Sequence, residues 1–271
     1  MTSVEAAAAK LNLALVVGPT RPDGKHELAT VFQRVDLADR IELAAAPALR
    51  VDGFEGDALV RAALEVLAAA AGVEPGWRVR IHKRIPVAAG LGGGSSDAAA
   101  ALRLANATLP TPLPPARLHE LACALGADVP FFLTEGPQLG RGDGTELSPL
   151  DLPQDYVALL LLPDGAAKPS TAGVYAAFDE RSGTHGFEER RDALARALAG
   201  VRHAADLAAL PANDLAASPL AAELRTLGAF RADVSGAGPV VYGLFADRRE
   251  AEAAKRALQG RGRFWTAAPA W

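Results

Sequence analysis

The sequence predicts an α+β protein of two domains, and three observations lead to this prediction. First, Trp77–His82 alternates apolar and polar residues, as a half-buried strand does, and a glycine-rich loop and an alanine-rich helix follow it. Second, the segment Pro149–Gln154 resembles a boundary between domains, and it divides the chain into domains 1–152 and 153–271. Third, the end of the chain is predicted as strand, glycine turn, strand, helix and strand, which is half of a ferredoxin-like sandwich.

Composition narrows the classes of protein that fit. The chain has 271 residues, of which 50% are hydrophobic, so a large core is available. A net charge of -4 with no basic patch argues against a nucleic-acid partner. Cys123 is the single cysteine, which excludes an internal disulfide and a cysteine metal cluster. No signal peptide and no apolar run of about 20 residues stand out, so we expect a cytoplasmic protein that contacts no membrane.

The first strand is predicted over Lys10–Val17, where leucines alternate with other residues. Lys10 and Asn12 share the face opposite the leucines. An ordinary solvent-facing strand surface explains this pattern as well as a functional pair does, so the residues alone leave both interpretations open. The turn-rich segment Gly18–Gly24 follows, and a second strand runs through Val31 to Leu37.

The remaining elements are predicted from helical or alternating apolar spacing. Asp57 is expected to cap the first helix and Gly72 to end it. Ser170 and Thr171 are expected to cap a later helix that carries Tyr175. Helices are predicted over 57–71, 97–107, 116–125, 188–200, 219–227 and 247–258, and strands over 40–44, 77–82, 156–162 and 264–267.

A glycine-rich loop joins the strand 77–82 to the helix 97–107. Such a loop disfavours helix and strand but allows a tight turn with accessible N–H groups. Two serines at its end are good N-cap residues, and a helix N-terminus attracts anions, so the loop predicts a polyphosphate site. The residues predicted to hold the phosphates are Pro86, Val87, Ala88, Ala89, Gly90, Leu91, Gly92, Gly93, Gly94, Ser95 and Ser96.

Two common phosphate loops do not match this one. A Walker A loop needs a lysine after the glycines, and Gly94 is followed by Ser95 and Ser96. A dinucleotide fingerprint needs a third glycine where Ser95 stands. A flexible turn capped by serines is the remaining structural alternative.

A second candidate for chemistry is Asp128. Gly126 is expected to end one helix, and Asp128 is placed to cap the next, with Pro130 in its first turn. Local chemistry alone is satisfied equally by a plain N-cap and by a carboxylate that acts as a general base.

Ile85–Ser96, with its triple glycine and paired serines, resembles the ATP-phosphate loop of the GHMP kinases. Lys10–Leu13, Arg21–Gln33 and Leu125–Pro130 resemble the same family. The resemblance implies the two-domain GHMP kinase fold, with an N-terminal domain like domain 2 of ribosomal protein S5 and a ferredoxin-like C-terminal domain. It also implies ATP and Mg2+ as cofactors.

The family resemblance assigns catalytic roles to two residues. The lysine that corresponds to Lys10 lies beside the reacting hydroxyl, and the aspartate that corresponds to Asp128 is catalytic. The metal ligands stay unknown at this point, because Ser95, Ser96 and Asp97 are all near enough to compete.

The resemblance also implies a substrate site that recognises cytosine. Asn12 and His26 are expected to contact the substrate, with His26 at the cytosine. Lys25 stands where the family usually has a tyrosine that stacks on the ring, and an ammonium gives less contact area. The resemblance implies that Tyr175 covers the other side of the cytosine, although the residues alone favour plain packing in the core.

The implied activity is ATP-dependent phosphorylation of an alcohol in a small molecule that carries cytidine diphosphate, used in isoprenoid synthesis. Asn213–Leu215 is expected to be structural, and Ser235–Gly238 to bring backbone close to the phosphates. Another GHMP kinase for mevalonate, homoserine or a sugar, or a catalytically silent nucleotide-binding relative, remains open. We expect a monomer or weak homodimer.

Overall fold

The computed structural model describes residues 2–54, 58–166 and 170–270. The chain forms two compact units, and each is built from separate stretches of sequence. The first unit comprises the segment up to Ala9, Leu37–Val87 and Gly92–Glu135; the second comprises Lys10–Asp36, Ala88–Leu91 and the chain from Gly136 onward. The division into domains 1–152 and 153–271 stays a prediction.

The described residues form strands, α-helices and short 3-10 helices. The strands are β1 Thr2–Thr20, β2 His26–Ala45, β3 Arg50–Asp52, β4 Trp77–His82, β5 Gln138–Gly142, β6 Glu146–Pro149, β7 Val157–Pro163, β8 Arg231–Val234, β9 Val241–Phe245, β10 Gly262–Ala267 and β11 Pro269–Ala270. The α-helices are α1 Ala58–Ala71, α2 Gly93–Asn106, α3 Pro115–Leu125, α4 Thr171–Glu180, α5 Phe187–Gly200, α6 Pro219–Thr226 and α7 Arg248–Ala257. The 3-10 helices span Pro130–Leu133 and Ala204–Ala209.

In the first unit, β4 pairs with the end of β2 and with β3. The pairing with β2 is antiparallel and sets Ile41 opposite Ile81 and Leu43 opposite Val79, all of them buried. The pairing with β3 is parallel. The predicted alternation of β4 is confirmed, because every second side chain of this strand is exposed. The expected cap at Asp57 lies outside the described residues.

Helices α1, α2 and α3 supply the other layer of the first unit. The buried face of α1 carries Val60, Leu64 and Leu67. The buried face of α2 is mostly alanine, and small side chains allow neighbouring helices to approach closely. The helix that follows the glycine loop is therefore held firmly in the core.

In the second unit, the start of β2 pairs with β5, and β5 pairs with β6, both antiparallel. The short strand β11 also pairs with β2. Strand β1 pairs with β2 and is longer than predicted, since it begins at Thr2 rather than Lys10. Alanine has a low intrinsic preference for strands, so the alanines before Lys10 gave no strand signal, and pairing overrides that preference.

A four-stranded antiparallel sheet forms the rest of the second unit. Its strands lie in the order β10-β7-β9-β8, which is fourth, first, third, second along the chain. With the helices after β7 and after β9, this gives the β-α-β-β-α-β arrangement of the ferredoxin-like fold. The prediction from the last strands and α7 is confirmed. Leu159, Leu161, Leu224 and Phe245 are fully buried in its core.

Among the described residues, no helix combines the length and the apolar character that crossing a membrane requires.

Candidate active site

The middle of the glycine loop is anchored through its carbonyl groups. Three consecutive carbonyls accept hydrogen bonds from other segments of the second unit, so the backbone is held in place without help from side chains of the loop. The bonds run to the Ala89 carbonyl from the Val240 N–H (3.2 Å), to the Gly90 carbonyl from the Ser235 hydroxyl (3.0 Å) and to the Leu91 carbonyl from the Lys10 N–H (2.9 Å).

Three alternate residues in the middle of this loop adopt a left-handed backbone conformation. The φ angles are 55° at Ala88, 84° at Gly90 and 69° at Gly92. At Gly90 an added Cβ would lie 2.1 Å from the carbonyl oxygen of Ser235, which no side chain can tolerate. Glycine is therefore required at position 90 by the close approach of two backbone segments as well as by its φ angle.

Helix α2 begins earlier than the sequence predicts. Its N-cap is Gly92, and Ser95 and Ser96 lie inside the first turn, so the prediction that these serines are the caps is wrong. The N–H of Ser96 already donates to the Gly92 carbonyl at 2.9 Å. A left-handed residue at Gly92 precedes the helix, and Gly93 and Gly94 are helical despite the low helix propensity of glycine.

The first turn of α2 is open to an anion. The N–H groups at the start of a helix have no acceptor within the helix, and those of Gly93, Gly94 and Ser95 belong to this set. A Cβ added at Gly94 would meet nothing within 4 Å. Before the turn, Val87 is 59% exposed. This geometry fits the polyphosphate that the sequence predicts.

Lys10 and Asn12 lie on β1 and are both only 4% exposed. They are therefore not an ordinary solvent-facing surface. The Lys10 Nζ donates to the Asn12 Oδ1 at 2.5 Å and lies 5.5 Å from the centre of the Phe32 ring. The Asn12 side-chain amide donates to the Thr30 hydroxyl at 2.8 Å, which in turn donates to the Ala14 carbonyl. This chain of bonds fixes the Lys10 ammonium on a rigid strand.

The turn between β8 and β9 approaches the same pair of side chains. A Cβ added at Gly236 would lie 3.3 Å from the Asn12 Oδ1 and 3.4 Å from the Lys10 Nζ. The side-chain amide of Asn213 donates to the carbonyls of Gly236 (2.7 Å) and Val234 (2.9 Å). Asn213 thus fixes this glycine turn, in keeping with the structural role predicted for its motif.

Asp128 belongs to the first unit and lies in a turn after α3. Its side chain is half-buried. The next helix is a 3-10 helix that begins at Pro130, and its N-cap is Val129, so the prediction that Asp128 is the N-cap is wrong. A role as a helix N-cap therefore does not explain the presence of Asp128.

Lys25, which stands where the family usually has a stacking tyrosine, forms an ion pair with Asp143. Its Nζ lies 2.5 Å from the Asp143 Oδ2, and the lysine side chain is 53% exposed. Burial favours the neutral acid at Asp143, but hydrogen bonds from Lys25 and Thr145 outweigh this effect and lower the pKa of Asp143. The same ion pair raises the pKa of Lys25. Both groups are charged at neutral pH.

His26 and Tyr175 meet within the second unit, as a shared substrate site requires. Their rings stack with centres 4.8 Å apart and an interplanar angle of 28°. The His26 Nε2 lies 2.9 Å from the Asp179 Oδ1. Tyr175 also packs against the buried cluster that contains Phe178, so packing contributes to its position. Of the two residues expected to cap this helix, Ser170 is confirmed, because its hydroxyl accepts from the Gly173 N–H, whereas Thr171 is the first helical residue.

The functional contacts of several residues in this region were not predicted from the sequence. Asp179 lies four residues after Tyr175, which is the spacing of one helix face, and this signal could have found it. Asp143 sits between two glycines in a turn, where an aspartate is ordinary. Thr30 alternates with Phe32 along β2, but only the pairing with β1 shows that its hydroxyl serves Asn12. Ser235 belongs to the turn that was expected near the phosphates, but nothing in the sequence indicated its full burial or its hydrogen bond to the Gly90 carbonyl.

Gly90→Ala is expected to destabilise the protein by at least about 2 kcal/mol, because the left-handed backbone and the overlap with the Ser235 carbonyl act together. Urea denaturation followed by circular dichroism measures the effect. Gly94→Ala is the matched control, since its Cβ enters open space in a helix and should leave the free energy of unfolding within about 1 kcal/mol. Equal stability of the two variants would contradict the close approach.

Comparison with known proteins agrees with this geometry. Residues 58–136 match the model of the GHMP kinases N terminal domain, and residues 185–263 match that of the GHMP kinases C terminal domain. A 4-diphosphocytidyl-2-C-methyl-D-erythritol kinase of Gloeobacter violaceus is 40% identical over 94% of this chain and 89% of its own length. The kinase of the same name from Pelotomaculum thermopropionicum is 42% identical over 90% of each chain.

Solved structures of GHMP kinases also superpose on this chain. A crystal structure of 4-(cytidine 5'-diphospho)-2C-methyl-D-erythritol kinase superposes with a TM-score of 0.79 at 34% identity, covering 99% of this chain and 100% of the other. The mevalonate kinase of Methanococcus jannaschii superposes with a TM-score of 0.80 at only 13% identity, over 100% of this chain and 99% of its own, and shares the fold. The chain therefore belongs to the GHMP kinase family, in the group of the 4-diphosphocytidyl-2-C-methyl-D-erythritol kinases.

Proposed function

We propose that this protein phosphorylates the 2-hydroxyl of 4-diphosphocytidyl-2-C-methyl-D-erythritol with ATP, in the methylerythritol phosphate route to isoprenoids. One structural observation carries the phosphoryl transfer: an anchored glycine loop leads into a helix whose first turn is open to an anion. The identity of the acceptor is supported by relatives of that name that match 90% or more of this chain.

The loop Pro86–Ser96 binds the phosphates of ATP in this proposal. Its first-turn N–H groups donate to the phosphates, and the glycines leave room for them. When bound, ATP with Mg2+ supplies the transferable phosphoryl group and neutralises charge on the phosphates. Because this group moves through a loose transition state, the protein contributes mainly alignment and fixed charge.

Mg2+ fits this site as an ion that arrives with the nucleotide. Among the described residues, no group of three or more His, Cys, Asp or Glu side chains could hold a metal by itself. Asp97 is fully buried and accepts a hydrogen bond from Lys83 at 2.7 Å, so it serves the protein interior. We infer that the phosphates and water supply most ligands, with Ser95 as the accessible hydroxyl.

Asp128 and Lys10 carry the chemistry in this proposal. The substrate hydroxyl oxygen attacks the γ-phosphorus, the bond from that phosphorus to the β-phosphate oxygen breaks, and Asp128 accepts the hydroxyl proton. Lys10 stabilises the charge on the transferring group. The bond from Lys10 to Asn12 supports this role, because it holds the ammonium at a fixed position before the substrate binds.

Asn12, Lys25, His26 and Tyr175 form the proposed substrate site. The contact between the His26 and Tyr175 rings supports a site for a planar base, since aromatic side chains stack on nucleobases. The ion pair of Lys25 with Asp143 takes the place of a second aromatic side. We infer that this side of the base is held by charge and polar contact, with less stacking area.

The experiment that tests the function is ADP release by the purified protein with ATP, Mg2+ and a panel of acceptors. The panel holds the cytidine-diphospho compound, mevalonate, homoserine and galactose. Turnover with the cytidine compound alone is expected, and free CMP should compete with it. Turnover with another acceptor would keep the phosphoryl transfer and refute the substrate; ATP binding without any turnover would identify a catalytically silent relative.

Asp128→Asn is expected to lower kcat by at least about a hundredfold, because it removes the proton acceptor while keeping the shape of the side chain. The affinity for ATP should stay within about threefold of the wild type, since the binding loop is untouched. Steady-state kinetics and isothermal titration measure the two effects. Asp155→Asn, an exposed aspartate, is the control. A kcat near that of the wild type would remove Asp128 from this role.

Lys25→Tyr is expected to lower the KM for the cytidine substrate by about two- to tenfold, the gain of one aromatic stack. Lys25→Met separates this gain from loss of the ion pair with Asp143, because it removes the charge without adding a ring. The KM for ATP should not change in either variant. A KM for the cytidine substrate that rises equally in both variants would show that the ammonium itself is the useful contact.

A further inference from the structure

Three charged side chains meet in the interior of the first unit. Asp39 lies on β2, Lys83 follows β4, and Asp97 lies in α2. The Lys83 Nζ lies 2.6 Å from the Asp39 Oδ2 and 2.7 Å from the Asp97 Oδ2. Both carboxylates are 0% exposed, whereas Lys83 is 16% exposed. We call these three residues the charge triad.

The charge balance of the triad keeps the ammonium protonated. Burial alone would lower the pKa of Lys83, but Asp97 and Asp39 outweigh it and raise that pKa. The second oxygen of Asp39 accepts from the N–H groups of Arg84 and Ile85, the latter at 2.9 Å, so its charge is spread over further donors. One ammonium with backbone donors therefore compensates two buried carboxylates.

The triad holds both ends of the glycine loop. Asp39 binds the backbone of Arg84 and Ile85, which directly precede Pro86. Asp97 directly follows Ser96, the last residue of the loop. A single ammonium thus connects the residue that fixes the start of the loop to the residue at its end. The chain is therefore fixed just before the loop and just after it, by residues that lie outside the loop.

The contact continues into the first turn of α2. A Cβ added at Gly93 would lie 3.4 Å from the Lys83 Nζ and 3.1 Å from the Ile85 Cγ2. The Lys83 ammonium also lies over the Phe54 ring, 5.8 Å from its centre. The first residue of the helix therefore packs on the triad, and the direction of the first-turn N–H groups depends on it.

A buried ion pair alone is weak evidence for stability, since apolar side chains of similar size often stabilise as well. What apolar residues cannot supply is the pair of backbone bonds to Asp39 and the fixed distance to Asp97. We propose that Asp39, Lys83 and Asp97 are positioning residues that set the geometry of the glycine loop for nucleotide phosphates. This inference rests on the proposed function of that loop as the ATP site.

Asp39→Asn and Asp97→Asn test the proposal. Each keeps the shape of the side chain and disturbs the pairing with Lys83. Affinities are measured by competition of ATP and of adenosine against a fluorescent ATP analogue with Mg2+ and without an acceptor substrate. At a temperature where circular dichroism shows the variants folded, we expect ATP affinity to fall at least about fivefold and adenosine affinity to stay unchanged. The kcat at saturating ATP should stay within about threefold.

The matched control is Asp52→Asn, which breaks the more exposed ion pair with Arg78 in the same unit. It should leave the affinity for ATP unchanged. If either triad variant fails to fold, Lys83→Arg replaces it, because it keeps the charge and the donors but alters the geometry. The same selective loss of ATP affinity is expected.

Unchanged ATP affinity, or an equal loss for ATP and adenosine, would overturn the positioning role, because a merely structural triad lowers stability without singling out the phosphates. Failure of the proposed function looks different. It appears in the wild type, as absent ATP binding or as turnover of another acceptor, whereas failure of the positioning role appears only in the variants.

Discussion

A glycine-rich loop can hold phosphates only if something outside it fixes its shape, because glycine residues lose the most conformational freedom on folding. Here that constraint is met by hydrogen bonds to the carbonyl groups of the loop. The carbonyls of Ala89, Gly90 and Leu91 are each bonded to another segment of the second unit. The resulting close approach excludes any side chain at Gly90. The open first turn of α2 is useful because the backbone that leads into it is already ordered.

The buried polar side chains of the candidate site are also fixed in position by hydrogen bonds. Lys10 and Asn12 are nearly inaccessible, and burying such groups is unfavourable unless they have hydrogen-bond partners. Asn12 and Thr30 supply those partners, so the ammonium is ordered within the fold. A charge that is fixed before the reaction begins needs little reorganisation when negative charge develops. The hydrogen bonds of Asn12 and Thr30 thus offset part of the unfavourable free energy of burying a charged group at the site.

Much of the fold could be predicted from the sequence, because its signals are local. The alternation of β4 and the cap at Ser170 each depend on neighbouring residues. The start of β1 was missed because it depends on pairing with β2. The caps of two helices were missed by a few residues, since Gly92 caps α2 in place of the serines and Val129 caps the 3-10 helix in place of Asp128.

The site was predictable to a similar extent. The glycine loop and the residues taken from the family resemblance are visible as motifs, and His26 and Tyr175 do meet. The partners that orient them are not. Asp179 and Asp143 are ordinary residues in ordinary local sequence, and their importance comes from contacts with His26 and Lys25, which lie far from them along the chain.

The interleaving of the two compact units has a consequence for synthesis on the ribosome. The last segment of the first unit ends at Glu135, so every part of that unit has been made while the C-terminal half is still being translated. The second unit needs Lys10–Asp36 together with strands that begin after Gly136. Strand β1 can pair with β2 as soon as both are made, but its Leu15 and Val17 pack in a buried cluster with Val174, Phe178 and Leu215, which are made much later. Such long-range packing is slow to form and leaves apolar surface exposed in the meantime, so this part of β1 needs protection from aggregation during synthesis.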